Sequence, residues 1–243
     1  MKNVIVDIAS DGLKELIEQL KNKDLNIMGV CLSCDVANGD ELCRLNAWEI
    51  QQNSNVKVYK GAQRPMLNAD YVMGRVFKGN GCEGKFEGLH AVNFIIEAAK
   101  TIDELEIICL GPLTNVALAI LKDDSAMKNI KRIYVSGGAL LGYQSTTPVA
   151  QHNILADVEA ADIVFRSGIA ITLIPENVCE CLPKATFEVA VGAPTQSWDA
   201  FVNVDTGVSL TRGQTVIDLV GRNPIDGKVT HGIKQTVITK VEG

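Results

Sequence analysis

Residues 105–122, LEIICLGPLTNVALAILK, decide the fold. The stretch opens with a short continuous apolar run, which reads as a strand buried on both faces. Gly111 and Pro112 then set a tight turn, and Pro112 leaves the chain without a backbone donor there. From residue 113 the apolar residues recur at helical spacing. The unit is therefore a strand over 105–110 and a helix over 113–122.

The same alternation extends in both directions. Strands are expected at 3–7, 26–33, 56–59, 130–137 and 169–174, and helices at 11–22, 39–52, 87–100 and 157–167. Asp11 is placed to cap the first helix, and residues 60–85 read as loop. This is an α/β pattern: an open, mainly parallel sheet flanked by helices on both faces. Right-handed crossovers bring the carboxyl ends of the strands to one edge, where such sheets bind ligands. Residues 185–243 differ, with short strands expected at 187–191, 200–204, 215–219 and 235–241. With no linker and no internal repeat, residues 1–243 are expected to form one domain.

Composition narrows the function. The chain has 243 residues, 47% hydrophobic and 21% charged, with a net charge of −6. That balance suits a globular protein and excludes a disordered one. A mildly acidic chain with no Lys/Arg run longer than two lacks the basic face that a nucleic-acid partner needs. No apolar stretch reaches the roughly 18 residues of a membrane span. Seven cysteines, an odd number, and a start without a secretory pattern point to reduced thiols in the cytoplasm. Cys31 and Cys34 form a C-x-x-C pair within a strand pattern, and Cys179 and Cys181 a C-x-C pair. A thiol-based function is the weaker reading, because zinc needs four ligands and a reactive thiol favours a helix start.

Four places put chemistry-bearing residues at strand ends. Asp7 and Asp11 bracket the end of the first strand, and hard cations take such carboxylates. Residues 111–115, GPLTN, follow the central strand, and carbonyls in that turn can face the cleft, while Thr114 or Asn115 can also simply cap the helix. Gly137 and Gly138 end the next strand and lead to Gln151, His152 and Asn153. Asn153 suits a hydroxyl-rich ligand or a local Asx turn. Trp198 and Asp199 are expected in a loop before a strand.

Taken in order, these pieces resemble the inosine–uridine-preferring nucleoside hydrolases. Residues 110–119, LGPLTNVALA, carry the likeness most strongly. Residues 137–139 (GGA), 150–154 (AQHNI) and 156–161 (ADVEAA) add to it. So do residues 58–62 (VYKGA), Arg64 with Pro65, and residues 210–216 (LTRGQTV). The resemblance runs from about residue 3 to about residue 230. It implies Ca²⁺-assisted hydrolysis of the N-glycosidic bond of purine or pyrimidine ribonucleosides to base plus ribose, and assembly as a dimer or tetramer. It implies catalytic roles for Asp7 and Asp11, and substrate contacts from Gln151, His152 and Asn153. It implies metal ligation by Asp7, Asp11, a carbonyl of Leu113 or Thr114, and Asp199.

The chain also departs from the family pattern. The opening Asp-x-Asp-x-x-x-Asp-Asp loop is shortened to residues 7–12, DIASDG. Gly12 then stands where a metal-binding carboxylate is expected, and Ala9 where the general base is expected, unless a different gap makes Asp7 that base. Gln151 replaces a Glu, His152 an aromatic residue, and Trp198 the His of a late His-Asp pair. These departures support the alternative function, an inactive family member that binds a ligand or partner without turnover.

Overall fold

The computed structural model describes residues 1–9, 12–33, 39–67, 84–140, 146–221 and 233–241. The strands are β1 (Lys2–Ile8), β2 (Leu25–Leu32), β3 (Val58–Lys60), β4 (Glu106–Cys109), β5 (Arg132–Ser136), β6 (Ile171–Ile174), β7 (Thr195–Val204), β8 (Thr215–Asp218) and β9 (Gln235–Val241). The helices are α1 (Leu13–Gln19), α2 (Gly39–Asn53), α3 (Ala91–Thr101), α4 (Thr114–Lys122), α5 (Asp124–Met127), α6 (His152–Leu155), α7 (Val158–Arg166) and α8 (Leu182–Val191). One sheet joins the strands in the order β3-β2-β1-β4-β5-β6-β9-β7-β8. The run from β3 to β9 is parallel, and β7 lies antiparallel to both β9 and β8.

Strand alternation divides the core into two layers. Ile5, Cys31, Ile107 and Cys109 face the layer of α3, α4 and α7. Val4, Val6, Ile8 and Ile108 face the layer that holds Leu16 of α1, Ile50 of α2 and Phe187 of α8. Full burial of each large apolar side chain contributes about 1.5–3 kcal/mol. Helix α3 buries Ala91, Val92, Ile95, Ile96, Ala98 and Ala99, the stripe expected of a helix lying on a sheet. His90, expected at the surface, is exposed and caps α3 by accepting from the Val92 amide at Nδ1.

Two local expectations are corrected. Residues 187–191 are the second half of α8, not a strand. Their Phe/Val run is ambiguous in period, but Pro183 at the helix start and Gly192 in the left-handed conformation at its end define a helix. Trp198 and Asp199 lie within the ten-residue strand β7, not in a loop before it. Asp199 pairs with Thr236 of β9.

Candidate functional site

Parallel packing puts the ends of β1, β2, β4 and β5 on one edge. Asp7 is the penultimate residue of β1 and lies in register between Cys31 of β2 and Cys109 of β4. It is 1% exposed. Oδ1 accepts from Asn115 Nδ2 at 2.8 Å, and Oδ2 is buried with no hydrogen-bond partner. Burial raises its pKa to about 7, against the lowering effect of the Asn115 hydrogen bond. Burial also holds the Cys31 and Cys109 thiols well above their ordinary range, with the nearby Asp7 carboxyl adding to the shift. Ser33 Oγ, just past β2, and Ser136 Oγ, at the end of β5, are likewise buried without a partner. Unsatisfied buried polar atoms are rare in folded proteins, and a bound ligand, ion or water is one physical reason for them.

Helix α4 starts at this edge, and its first residues are committed elsewhere than to capping. Leu113 is the N-cap, and its carbonyl accepts from the Ala117 amide at 2.9 Å. Thr114 Oγ1 donates to Asp157 Oδ2 at 2.7 Å. Asn115 Oδ1 accepts from the Ala62 amide at 2.8 Å while its amide nitrogen holds Asp7. Asp157 also caps α7 through the Ala160 amide and accepts from the Met66 amide. Its pKa is raised because burial outweighs these three hydrogen bonds.

The third group of expected residues adopts framework roles. Gln151 is the N-cap of α6; its Oε1 accepts from the amides of Asn153 and Gly138. His152 is the first residue of α6. Asn153 donates from Nδ2 to the carbonyls of Ser136 and Leu110, at 2.8 and 3.2 Å. It thereby ties the ends of β4 and β5 together at the ligand edge, instead of forming an Asx turn.

Of the expected metal ligands, Asp199 is not brought to Asp7. Asp199 is exposed on β7, five strand spacings from β1 in the sheet order, or roughly 24 Å at about 4.8 Å per spacing. Asp11 lies outside the described residues. The N-cap of α1 is Gly12, in the left-handed region with φ 86°. A Cβ there would stand 3.1 Å from Pro183 Cβ and 3.2 Å from Leu110 Cδ1, so a side chain in the place of the expected second carboxylate would need its neighbours to give by a few tenths of an ångström. Calcium takes about six to eight oxygens. Among the described residues no three of His, Cys, Asp and Glu are grouped to hold a metal ion; of the expected ligands, Asp7 brings a carboxylate to this edge.

Residue-by-residue reading missed two supports of the site. Asn46, 3% exposed on α2, donates to the Ala9 carbonyl at 3.0 Å and fixes the end of β1. Its signal was a polar residue among the buried Cys43, Ala47 and Ile50 of an amphipathic helix. Asp157 had a similar signal, an Asp directly before a helical apolar period.

Comparison with known proteins agrees with this fold. Residues 6–198 match the model of the family "Inosine-uridine preferring nucleoside hydrolase". The pyrimidine-specific ribonucleoside hydrolase RihA of Shewanella sp. (strain MR-7) is 28% identical over 285 aligned positions, covering 93% of this chain and 87% of the relative. That alignment is longer than the chain itself, so the relative holds internal residues that this chain lacks. The pyrimidine-specific ribonucleoside hydrolase RihB of Escherichia coli O157:H7 is 33% identical, covering 81% of this chain and 67% of the relative. The plant nucleoside hydrolase PpNRh1 superposes with a TM-score of 0.84 at 21% identity, covering 99% of this chain and 95% of the other. A purine-preferring ribonucleoside hydrolase from Gardnerella vaginalis superposes at 0.78 with 22% identity, covering 99% and 94%. The fold is that of a nucleoside hydrolase. The chain belongs to the inosine-uridine preferring nucleoside hydrolase family.

Proposed function

We propose that the carboxyl edge of β1 and β2 binds the ribose of a ribonucleoside, and that the chain does not turn it over efficiently. The observation that carries this reading is the pair of buried, unpartnered polar atoms at those strand ends, Asp7 Oδ2 and Ser33 Oγ. A carboxyl and a hydroxyl are suited to a hydroxyl-rich ligand. Efficient hydrolysis asks for more: a cation or base that activates water and an acid for the leaving base. Gly12 carries no carboxylate and holds a left-handed backbone that strains any side chain, and Trp198 stands in a strand remote from Asp7.

The test pairs two assays on one preparation. Ribose and a panel of purine and pyrimidine ribonucleosides should raise the melting temperature. Ribose release should stay at background with added Ca²⁺. Steady release that Asp7→Ala abolishes would overturn the reading.

The second reading is Ca²⁺-assisted hydrolysis, favoured by the free Oδ2 of Asp7 and by Asp11 following it in sequence. Micromolar calcium binding that tightens with ribose would support it.

A reducing, cytoplasmic setting belongs to the same proposal, since five cysteines among the described residues are free thiols. No helix among the described residues is long and apolar enough to cross a membrane. A dimer or tetramer is also proposed, on Val208 and Leu210, which stand fully exposed on the loop between β7 and β8. Sedimentation of the wild type and of Leu210→Lys tests that assembly.

A further inference from the structure

We infer that Asn115 is a positioning residue that couples the carboxyl group of Asp7 to the loop after β3, residues 61–67. A side-chain amide has one donor end and one acceptor end. The donor end of Asn115 holds Asp7 Oδ1 at 2.8 Å, and the acceptor end holds the Ala62 amide at 2.8 Å. Asn115 is 0% exposed, so water competes for neither bond. Gly61 makes the approach possible. A Cβ on it would lie 2.3 Å from Asn115 Oδ1 and 2.5 Å from Nδ2.

The same loop is fastened a second time. Asp157 Oδ2 accepts from the Met66 amide at 3.0 Å and from Thr114 Oγ1 at 2.7 Å. Two adjacent residues at the start of α4, Thr114 and Asn115, thus join the loop to β1 on one side and to α7 on the other. With Oδ1 occupied, Asp7 presents only Oδ2, the buried atom without a partner. Asn115 therefore fixes which carboxyl oxygen meets the ligand, and it fixes the loop to that same choice. A ligand that engages Oδ2 stiffens the Asp7–Asn115–Ala62 chain and slows opening of the loop.

The ligand half of this inference rests on the ribose-binding reading; the latch half does not. The experiment is amide hydrogen exchange across residues 61–67 together with ribose titration, on the wild type, Asn115→Asp and Asn115→Ala. Asn115→Asp keeps an acceptor for Ala62 and loses the donor to Asp7; Asn115→Ala loses both. Protection at Ala62 should fall about tenfold or more in Asn115→Ala, the equivalent of one net hydrogen bond, and be retained in Asn115→Asp. Ribose affinity should fall in both. Rescue of one readout but not the other is a pattern that general destabilisation does not give.

Unchanged protection at Ala62 in Asn115→Ala would overturn the inference, as would equal loss of protection throughout β1, α4 and the loop. Where the wild type binds no ribose, the ribose reading fails and the exchange data still decide the latch. Should Asn115→Ala not fold, Gly61→Ala supplies the second test. Its methyl displaces the loop from an intact Asn115, and the same local loss at Ala62 is expected.

Discussion

Gly12 lies against Pro183: a Cβ on Gly12 would come 3.1 Å from Pro183 Cβ and 3.3 Å from its Cγ. The contact brings the start of α8 up to the start of α1 and crowds the position where the resemblance expects a metal-binding carboxylate. Restoring that residue should therefore fail. Gly12→Asp puts a side chain on a backbone with φ 86° and into that contact. We expect a loss of about 2–4 kcal/mol in unfolding free energy and no gain in calcium affinity by isothermal titration. A variant that binds calcium at micromolar concentration would show that α8 yields and that the site can be rebuilt by one residue.

Asp7 makes stability depend on pH in a particular direction. Its folded pKa of about 7 lies above the ordinary carboxylate value of 3.8, because burial disfavours the charged form. The folded protein binds the proton more tightly than the unfolded chain, so this group's stabilisation is full at acid pH and is lost as pH rises from about 4 to about 7. With calcium chelated, the total is on the order of 4 kcal/mol. Asp7→Asn keeps an acceptor for Asn115 and cannot ionise. Chemical unfolding at pH 5 and pH 8 should show a falling wild-type stability and a nearly level variant. Parallel slopes in the two proteins would mean that Asp7 is already ionised at neutral pH.

Much of this arrangement was legible in the sequence, and the limits have physical causes. The strand–turn–helix of residues 105–122 predicted β4 and α4 within a residue or two, because continuous apolar strands and helical periods are local signals. The antiparallel insertion of β7 between β9 and β8 was not readable, since strand order is a tertiary choice. For the same reason Asp199 reads as a site residue in sequence and stands five strands from Asp7 in space. Asn153 was found as a residue of the edge, but its donation to the Ser136 and Leu110 carbonyls depends on where two strands end. Residue type gives the capacity for a hydrogen bond; packing selects the partner.

Asp157 carries three hydrogen bonds from a position 1% exposed. Asp157→Ala removes the cap of α7 and leaves Thr114 Oγ1 and the Met66 amide without their acceptor. We expect a loss of about 2–4 kcal/mol, from one cap and two buried donors. Asp157→Asn retains one acceptor oxygen, so it should recover the cap at Ala160 and leave the Met66 amide to exchange faster. Equal stability of wild type and Asp157→Ala would show that water replaces all three bonds.

Asp7 and Asp199 give opposite expectations for the same ligand. Asp7 presents a buried oxygen without a partner at the carboxyl edge of β1. Asp199 is exposed on β7, and five strand spacings separate the two strands. Roughly 24 Å cannot be bridged by an ion whose oxygens lie about 2.3–2.6 Å away, nor by one ribose. Asp199→Ala should therefore leave ribose-induced thermal stabilisation and any calcium binding unchanged, with a stability change within about 0.5 kcal/mol. Asp7→Ala should abolish the ribose effect. If instead Asp199→Ala removes ligand stabilisation while Asp7→Ala does not, the site lies on the antiparallel half of the sheet, and the edge of β1 is only scaffold.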